Sequence, residues 1–184
     1  GTKPFTSLVK DALELTVQRD LPVLFGGKAK EWKSNEYDLR IDVGDARDFL
    51  SFIKPGLYIS QGTKVRFNVA RDGNVTASVR SPRMAVNRNF LKDINLSFDN
   101  RDSSLNASVI CSAISVSGLN LQNDSFLLYA KDNGFGVGFT YDNGTEPANK
   151  GEIYLTGKFG RSHGGDLTVE AKTLPSFIWY EGAA

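Results

Sequence analysis

The sequence predicts a mainly β fold. It reads as a curled, mostly antiparallel sheet that forms a groove-like apolar trough, with an N-terminal amphipathic helix and one short helix. Three observations predict it. From residue 37 onward, apolar and polar residues alternate over long stretches, the period of a half-buried strand. Asn, Asp and Gly cluster between those stretches, as tight hairpin loops require. Helical periodicity is confined to the first 20 residues and to one short segment near residue 50.

The first element follows from Phe5, Leu8, Val9, Ala12 and Leu13, which recur at the i, i+3, i+4 spacing of one helix face behind Pro4, a residue tolerated in a first turn. The opposite face carries Lys10, Asp11, Glu14 and Arg19 in mixed sign, unlike the basic face of a helix that lies on a membrane. Docking onto the sheet is the expectation. After Gly26-Gly27 the period changes, and Tyr37, Leu39, Ile41 and Val43 alternate with Asp38, Arg40 and Asp42. A short helix is predicted over 45–53, with Asp45 as N-cap, Ala46, Phe49, Leu50, Phe52 and Ile53 as its apolar face, and Lys54-Pro55-Gly56 as its stop.

Strand-period residues then run through Val65, Phe67 and Val69; Val75, Ala77 and Val79; Ile94, Leu96 and Phe98; Leu105, Ala107 and Val109; Phe126, Leu128 and Ala130; Val137 and Phe139; Ile153 and Leu155. The residues between them, among them Arg66, Ser78, Ser97, Ser108 and Thr156, suit a face open to water. Turns are predicted at Arg71-Asp72-Gly73, Lys131-Asp132-Asn133-Gly134 and Tyr141-Asp142-Asn143-Gly144. A loose internal echo relates Phe90–Leu96 to the segment from Leu119 to Leu128, below the regularity of a solenoid. The chain is thus one domain over 1–184, with a helix in 1–20 and a strand-rich groove over 37–180. The absence of an initiator Met suggests a segment of a larger protein.

Composition narrows the function. Lys and Arg number 22 against 21 Asp and Glu, so no field steers a polyanion, and nucleic acid is not an expected partner. No apolar run approaches the ~20 residues of a membrane-spanning helix. Cys111 is the single cysteine and reads as a small core filler. His163, the single histidine, lies in Arg161-Ser162-His163-Gly164-Gly165, a composition typical of an exposed turn. Neither a metal site nor a catalytic triad can be assembled from these residues, so no cofactor, metal or enzymatic activity is expected. Gly134, Gly136 and Gly138 alternate with Phe135, Val137 and Phe139 without a following helix start, which fits a bend or a close approach better than a nucleotide loop. Scattered carboxylates such as Asp42, Asp45, Asp48, Asp99 and Asp102 read as solvated turn residues. Asn-x-Ser/Thr triplets starting at Asn74, Asn95, Asn106, Asn123 and Asn143 arise largely from alternation on the wet face.

The order of features resembles the TamB family of AsmA-like envelope proteins, in its Bacteroidetes branch. The similarity spans about residues 5 to 180. It rests on Tyr37-Asp38-Leu39-Arg40-Ile41, Leu91-Lys92-Asp93-Ile94-Asn95-Leu96, Asn149-Lys150-Gly151-Glu152-Ile153-Tyr154-Leu155-Thr156-Gly157 and Leu174-Pro175-Ser176-Phe177-Ile178. What the resemblance implies is an internal or near-C-terminal periplasmic segment of a protein anchored in the inner membrane. Its taco-like β-groove would help build the outer membrane, by moving phospholipid or by assisting outer-membrane protein assembly. The implied partners are phospholipid acyl chains, and an outer-membrane assembly machinery met through regions outside this segment.

The residues themselves point the same way for a physical reason. A sheet with one continuous apolar face must cover it with a helix, a second sheet or an apolar ligand, and the N-terminal helix is too small to cover so many strands. Phe67, Val79, Ile94, Leu96, Phe98, Val109, Leu128, Val137 and Phe139 share the apolar phase and are the candidate groove lining. The competing expectation is a sealed β-sandwich that binds sugar or protein in the manner of an adhesin module. Trp32 and Trp179 lie outside its main strand block.

Overall fold

The computed structural model describes residues 5–26 and 36–181. Helix α1 (Phe5–Asp20) leads into a 3-10 turn (Pro22–Phe25), followed by β1 (Tyr37–Asp42), α2 (Arg47–Ile53), β2 (Leu57–Ile59), β3 (Lys64–Val69) and β4 (Val75–Val86). A meander of long strands comes next: β5 (Asn89–Asp99), β6 (Leu105–Val116), β7 (Leu119–Lys131), β8 (Gly134–Asp142) and β9 (Asn149–Arg161). The chain closes with β10 (Leu167–Thr173) and β11 (Phe177–Tyr180).

All eleven strands belong to one open antiparallel sheet in the order β1-β3-β4-β5-β6-β7-β8-β9-β10, with β2 on β4 and β11 on β9. The expected curled, groove-like β fold is what the chain adopts. At each flank, two short strands pair with successive halves of one long strand: β3 and β2 on β4, β10 and β11 on β9. Trp179, outside the main strand block as expected, lies in β11, which pairs with β9 at the flank of the sheet; Trp32 lies outside the described residues.

The helix closes one end of the sheet by meeting strand ends rather than lying along the apolar face. Ala12 is fully buried with Phe67, Val69 and Val75, and Val17 packs beside Leu105 and Ala130. Each fully buried Val, Leu or Phe among these is worth ~1.5–3 kcal/mol relative to exposure. Leu13, expected on the docked stripe, is 38% exposed instead; the side chains of Phe5, Leu8 and Val9 lie outside the described set. The buried stripe runs Ala12, Thr16, Asp20, because strand ends present polar backbone that needs partners.

Two asparagines organise that junction. Asn100 is 1% exposed; its Oδ1 accepts the Val75 N–H at 2.6 Å and its Nδ2 donates to Thr16 Oγ1 at 2.7 Å. Arg19 donates to the Asn100 carbonyl and, at 2.8 Å, to Asn74 Oδ1. Asn133 accepts the Val23 N–H on its side chain and donates its own N–H to the Asp20 carbonyl, both at 2.9 Å. The helix is thereby tied to the β3–β4, β5–β6 and β7–β8 turns.

The short helix differs from expectation in two ways. It starts at Arg47, and its N-cap position is Ala46, without a side-chain cap. Asp45 instead accepts the Arg47 N–H at 3.3 Å and pairs with its guanidinium at 2.7 Å, which holds its carboxyl down at about 2. Phe52, assigned to the apolar face, is 89% exposed; Phe49 and Ile53 have side chains outside the described set.

A crease crosses the sheet. β4 and β5 pair Ser81 with Ile94 and Arg83 with Lys92 but skip Pro82 and Asp93. β6 and β7 pair Cys111 with Asp124 and Ala113 with Gln122 but skip Ser112 and Asn123, and β7–β8 shifts register between Gln122 and Ser125. Pro82 has no N–H to give, and Asp93 and Asn123 adopt φ of 47° and 53°, a region Asp and Asn tolerate better than other side chains. Ser112 donates to Asp93 Oδ2 across the line at 2.6 Å. One extra residue at the same level in neighbouring strands reverses the side-chain phase beyond it. The apolar phase of the sequence reverses at that same line, to Ile59, Met84, Leu91, Ile114 and Leu121, which stand opposite one another in turn. The internal echo in the sequence thus marks the two strands that carry a left-handed Asx at the crease.

Candidate ligand trough

Between the helix-closed end and the crease, the apolar face consists of rows that cross the strands. One row runs Leu39, Phe67, Ala77, Phe98, Ala107, Leu128, Val137 and Leu155, each paired with the next. The adjacent row runs Ile41, Val65, Val79, Leu96, Val109, Phe126, Phe139 and Ile153. Eight of the nine candidate lining residues fall in these two rows; the ninth, Ile94, stands opposite Ser81 in the next row toward the crease. Antiparallel partners directly opposite share a face, so the register brings all nine together.

Burial varies systematically along the strands. Near the helix, Val69, Val75, Leu105 and Ala130 are at most 3% exposed. In the middle rows, Val79, Leu96, Phe98, Val109, Leu128, Val137 and Phe139 are only half buried, and Phe126 is 41% exposed. Phe67 and Ile94 are buried. No second sheet packs on this face among the described residues, so the middle of the trough is apolar and open while one end is sealed by α1.

The row at the crease is different in chemistry. Thr63, Ser81, Ile94, Cys111 and Asp124 are all buried, and the Thr63 and Ser81 hydroxyls hydrogen-bond at 2.7 Å. Asp124 is 2% exposed, and neither of its carboxylate oxygens has a hydrogen-bond partner. Burial pushes its carboxyl up to about 6, with the Asp142 carboxylate adding to the rise. Burial, then Asp124, raises the Cys111 thiol. Sequence reasoning placed Cys111 correctly in the core but passed over Asp124 as a site residue. The sign was present: Asp124 shares the phase of Phe126, Leu128 and Ala130, an acid where an apolar residue is due.

The opposite face is largely polar, as expected, with Arg66, Ser78, Ser97 and Ser108 opposite one another. It is not uniformly so. Ile110, Leu127 and Tyr129 also point there and are 44–47% exposed. The glycines of β8 permit a close approach at Gly138, where an added Cβ would stand 3.1 Å from the Tyr154 ring. His163 sits in the exposed turn between β9 and β10. Among the described residues, no three or more His, Cys, Asp or Glu come together, and no helix is long and apolar enough to cross a membrane.

Comparison with protein-family models, curated proteins and solved structures returned no match for this chain.

Proposed function

We propose that this chain is a groove segment that holds the acyl chains of phospholipid, as part of a periplasmic protein serving outer-membrane biogenesis. The observation that carries the reading is the half-buried apolar midsection, from Val79 to Phe139 across the strands, lying between a helix-closed end and a buried polar row. Exposed contiguous apolar surface of this kind marks a binding site rather than a core. Along β7, from Asp124 to Ala130, six residue steps span ~20 Å, more than half the ~30 Å hydrocarbon thickness that two acyl layers share. Residues of this chain would act by exclusion of water and by dispersion contacts, with no chemistry on the lipid. The resemblance of the sequence pattern to the TamB family supports the same reading, and the periplasm is the compartment it implies. The adhesin-like sandwich would need a second layer over the rows that hold Leu96 and Leu128.

The test is uptake of lipid by detergent-free protein. Protein stripped of lipid by organic extraction and refolded is mixed with vesicles of phosphatidylethanolamine and phosphatidylglycerol, re-isolated, and analysed by native mass spectrometry. Adducts of phospholipid mass at defined stoichiometry are expected. A folded protein that returns without any lipid adduct overturns the proposal.

A further inference from the structure

We infer that the wet face carries a second binding site, for a neutral oligosaccharide. This site is a hollow of about 470 Å³ on the face opposite the trough. Its floor is Gly136, where an added Cβ would find nothing nearer than 3.9 Å, and Gly138, which lies under the Tyr154 ring. Tyr129, 44% exposed, and Tyr154 form its aromatic side, and Leu174 its end.

Leu174 is held there by its N–H, which donates to the Tyr154 carbonyl at 2.9 Å, and Ser176 Oγ accepts the Tyr154 N–H at 2.9 Å. The strand crossover between β10 and β11 is therefore fixed as a wall. At the other end, Ser97 and Ser108 share a hydrogen bond of 2.7 Å, and Asn106 and Asp99 complete a polar rim.

The combination selects for one ligand chemistry. A pyranose ring presents an apolar C–H face and a hydroxyl edge, which suit an aromatic wall beside neutral donors and acceptors. Asp99 is neutralised by Arg101 at 2.5 Å, and the hollow is lined by no Lys, Arg or His. It therefore holds no unpaired cation for a phosphate or a carboxylate, which separates its ligand from nucleotides and anionic headgroups. The hollow spans five neighbouring strands, β5 to β9, which at ~4.8 Å each is enough for several linked sugar rings.

The experiment is saturation-transfer NMR and calorimetry with cellohexaose, chitohexaose and maltohexaose as probes. At least one is expected to bind, with Tyr129→Ala weakening it about tenfold or more. Tyr129→Phe should retain most of the affinity, because the ring face is kept. Gly136→Val, whose branched side chain enters open space, should abolish binding without loss of the cooperative thermal transition. Failure of all three glycans to bind at millimolar concentration, or equal binding by Tyr129→Ala and Gly136→Val, overturns the inference. Lipid uptake by the trough is unaffected by either outcome, since the two sites lie on opposite faces.

Discussion

Asp124 stands directly opposite Cys111 on the neighbouring strand, and both side chains are at most 2% exposed while the carboxylate has no hydrogen-bond partner. A buried acid facing a thiol is an electrostatic cost that the fold carries at neutral pH. Since the native carboxyl is raised from 3.8 to about 6, the native state holds a proton that the unfolded chain has already released between those values. Stability attributable to this group is therefore highest below about pH 4, falls as pH rises to about 6, and is level above, by roughly 3 kcal/mol in all. Asp124→Asn should remove that part of the pH dependence and raise stability near neutrality. Urea unfolding of both proteins from pH 4 to pH 8 checks it; parallel curves would show that Asp124 is solvated or partnered.

The trough makes a prediction on side-chain phase. Leu96→Asp and Leu128→Asp place a charge on half-buried apolar rows, where an unpaired charge facing hydrocarbon costs several kcal/mol. Both variants should resist protease like wild type, since these positions retain access to water, yet lose phospholipid adducts. Ser78→Asp, on the opposite face, should keep them. Undiminished lipid uptake by folded Leu96→Asp and Leu128→Asp would assign the lipid to some other surface.

Asn100 joins three elements through one side chain, so its truncation loosens the helix from the sheet. Asn100→Ala leaves the buried Val75 N–H without its partner, at a cost of ~1–3 kcal/mol for a buried unsatisfied group, and removes the bond to Thr16 Oγ1, which keeps its own bond to the Ala12 carbonyl. The expected outcome is a lowered melting temperature with faster amide exchange in α1 than in β5–β7. Uniform acceleration across the chain would argue that α1 and the sheet unfold as one unit.

At the crease, backbone conformation decides what is tolerated. Asp93→Gly and Asn123→Gly keep the left-handed conformation accessible and should change stability little. Asp93→Val and Asn123→Val put a β-branched residue at positive φ and should each cost at least ~1–2 kcal/mol. Equilibrium denaturation of the four variants makes the comparison, and Val variants as stable as Gly variants would mean that the crease is not a fixed feature of the sheet.

The sequence by itself determined the strands, their polar and apolar phases and the helical start, because these are set by local periodicity: Phe67, Val79, Leu96, Val109, Leu128 and Phe139 could be assigned to one surface before any pairing was known. It also displayed the echo between the segments around Asp93 and Asn123, but not its meaning, since an Asx in a strand is uninformative until its neighbours across the sheet carry the same irregularity. Tertiary structure alone decided that α1 closes an end through Thr16, Asp20 and Asn100 instead of covering the face with Leu13. It also decided that the middle rows stay open and that Asp124 is sealed in. The closure by α1 depends on partners 25 and 84 residues apart, and no period of 2 or 3.6 residues encodes which strand end a helix will meet.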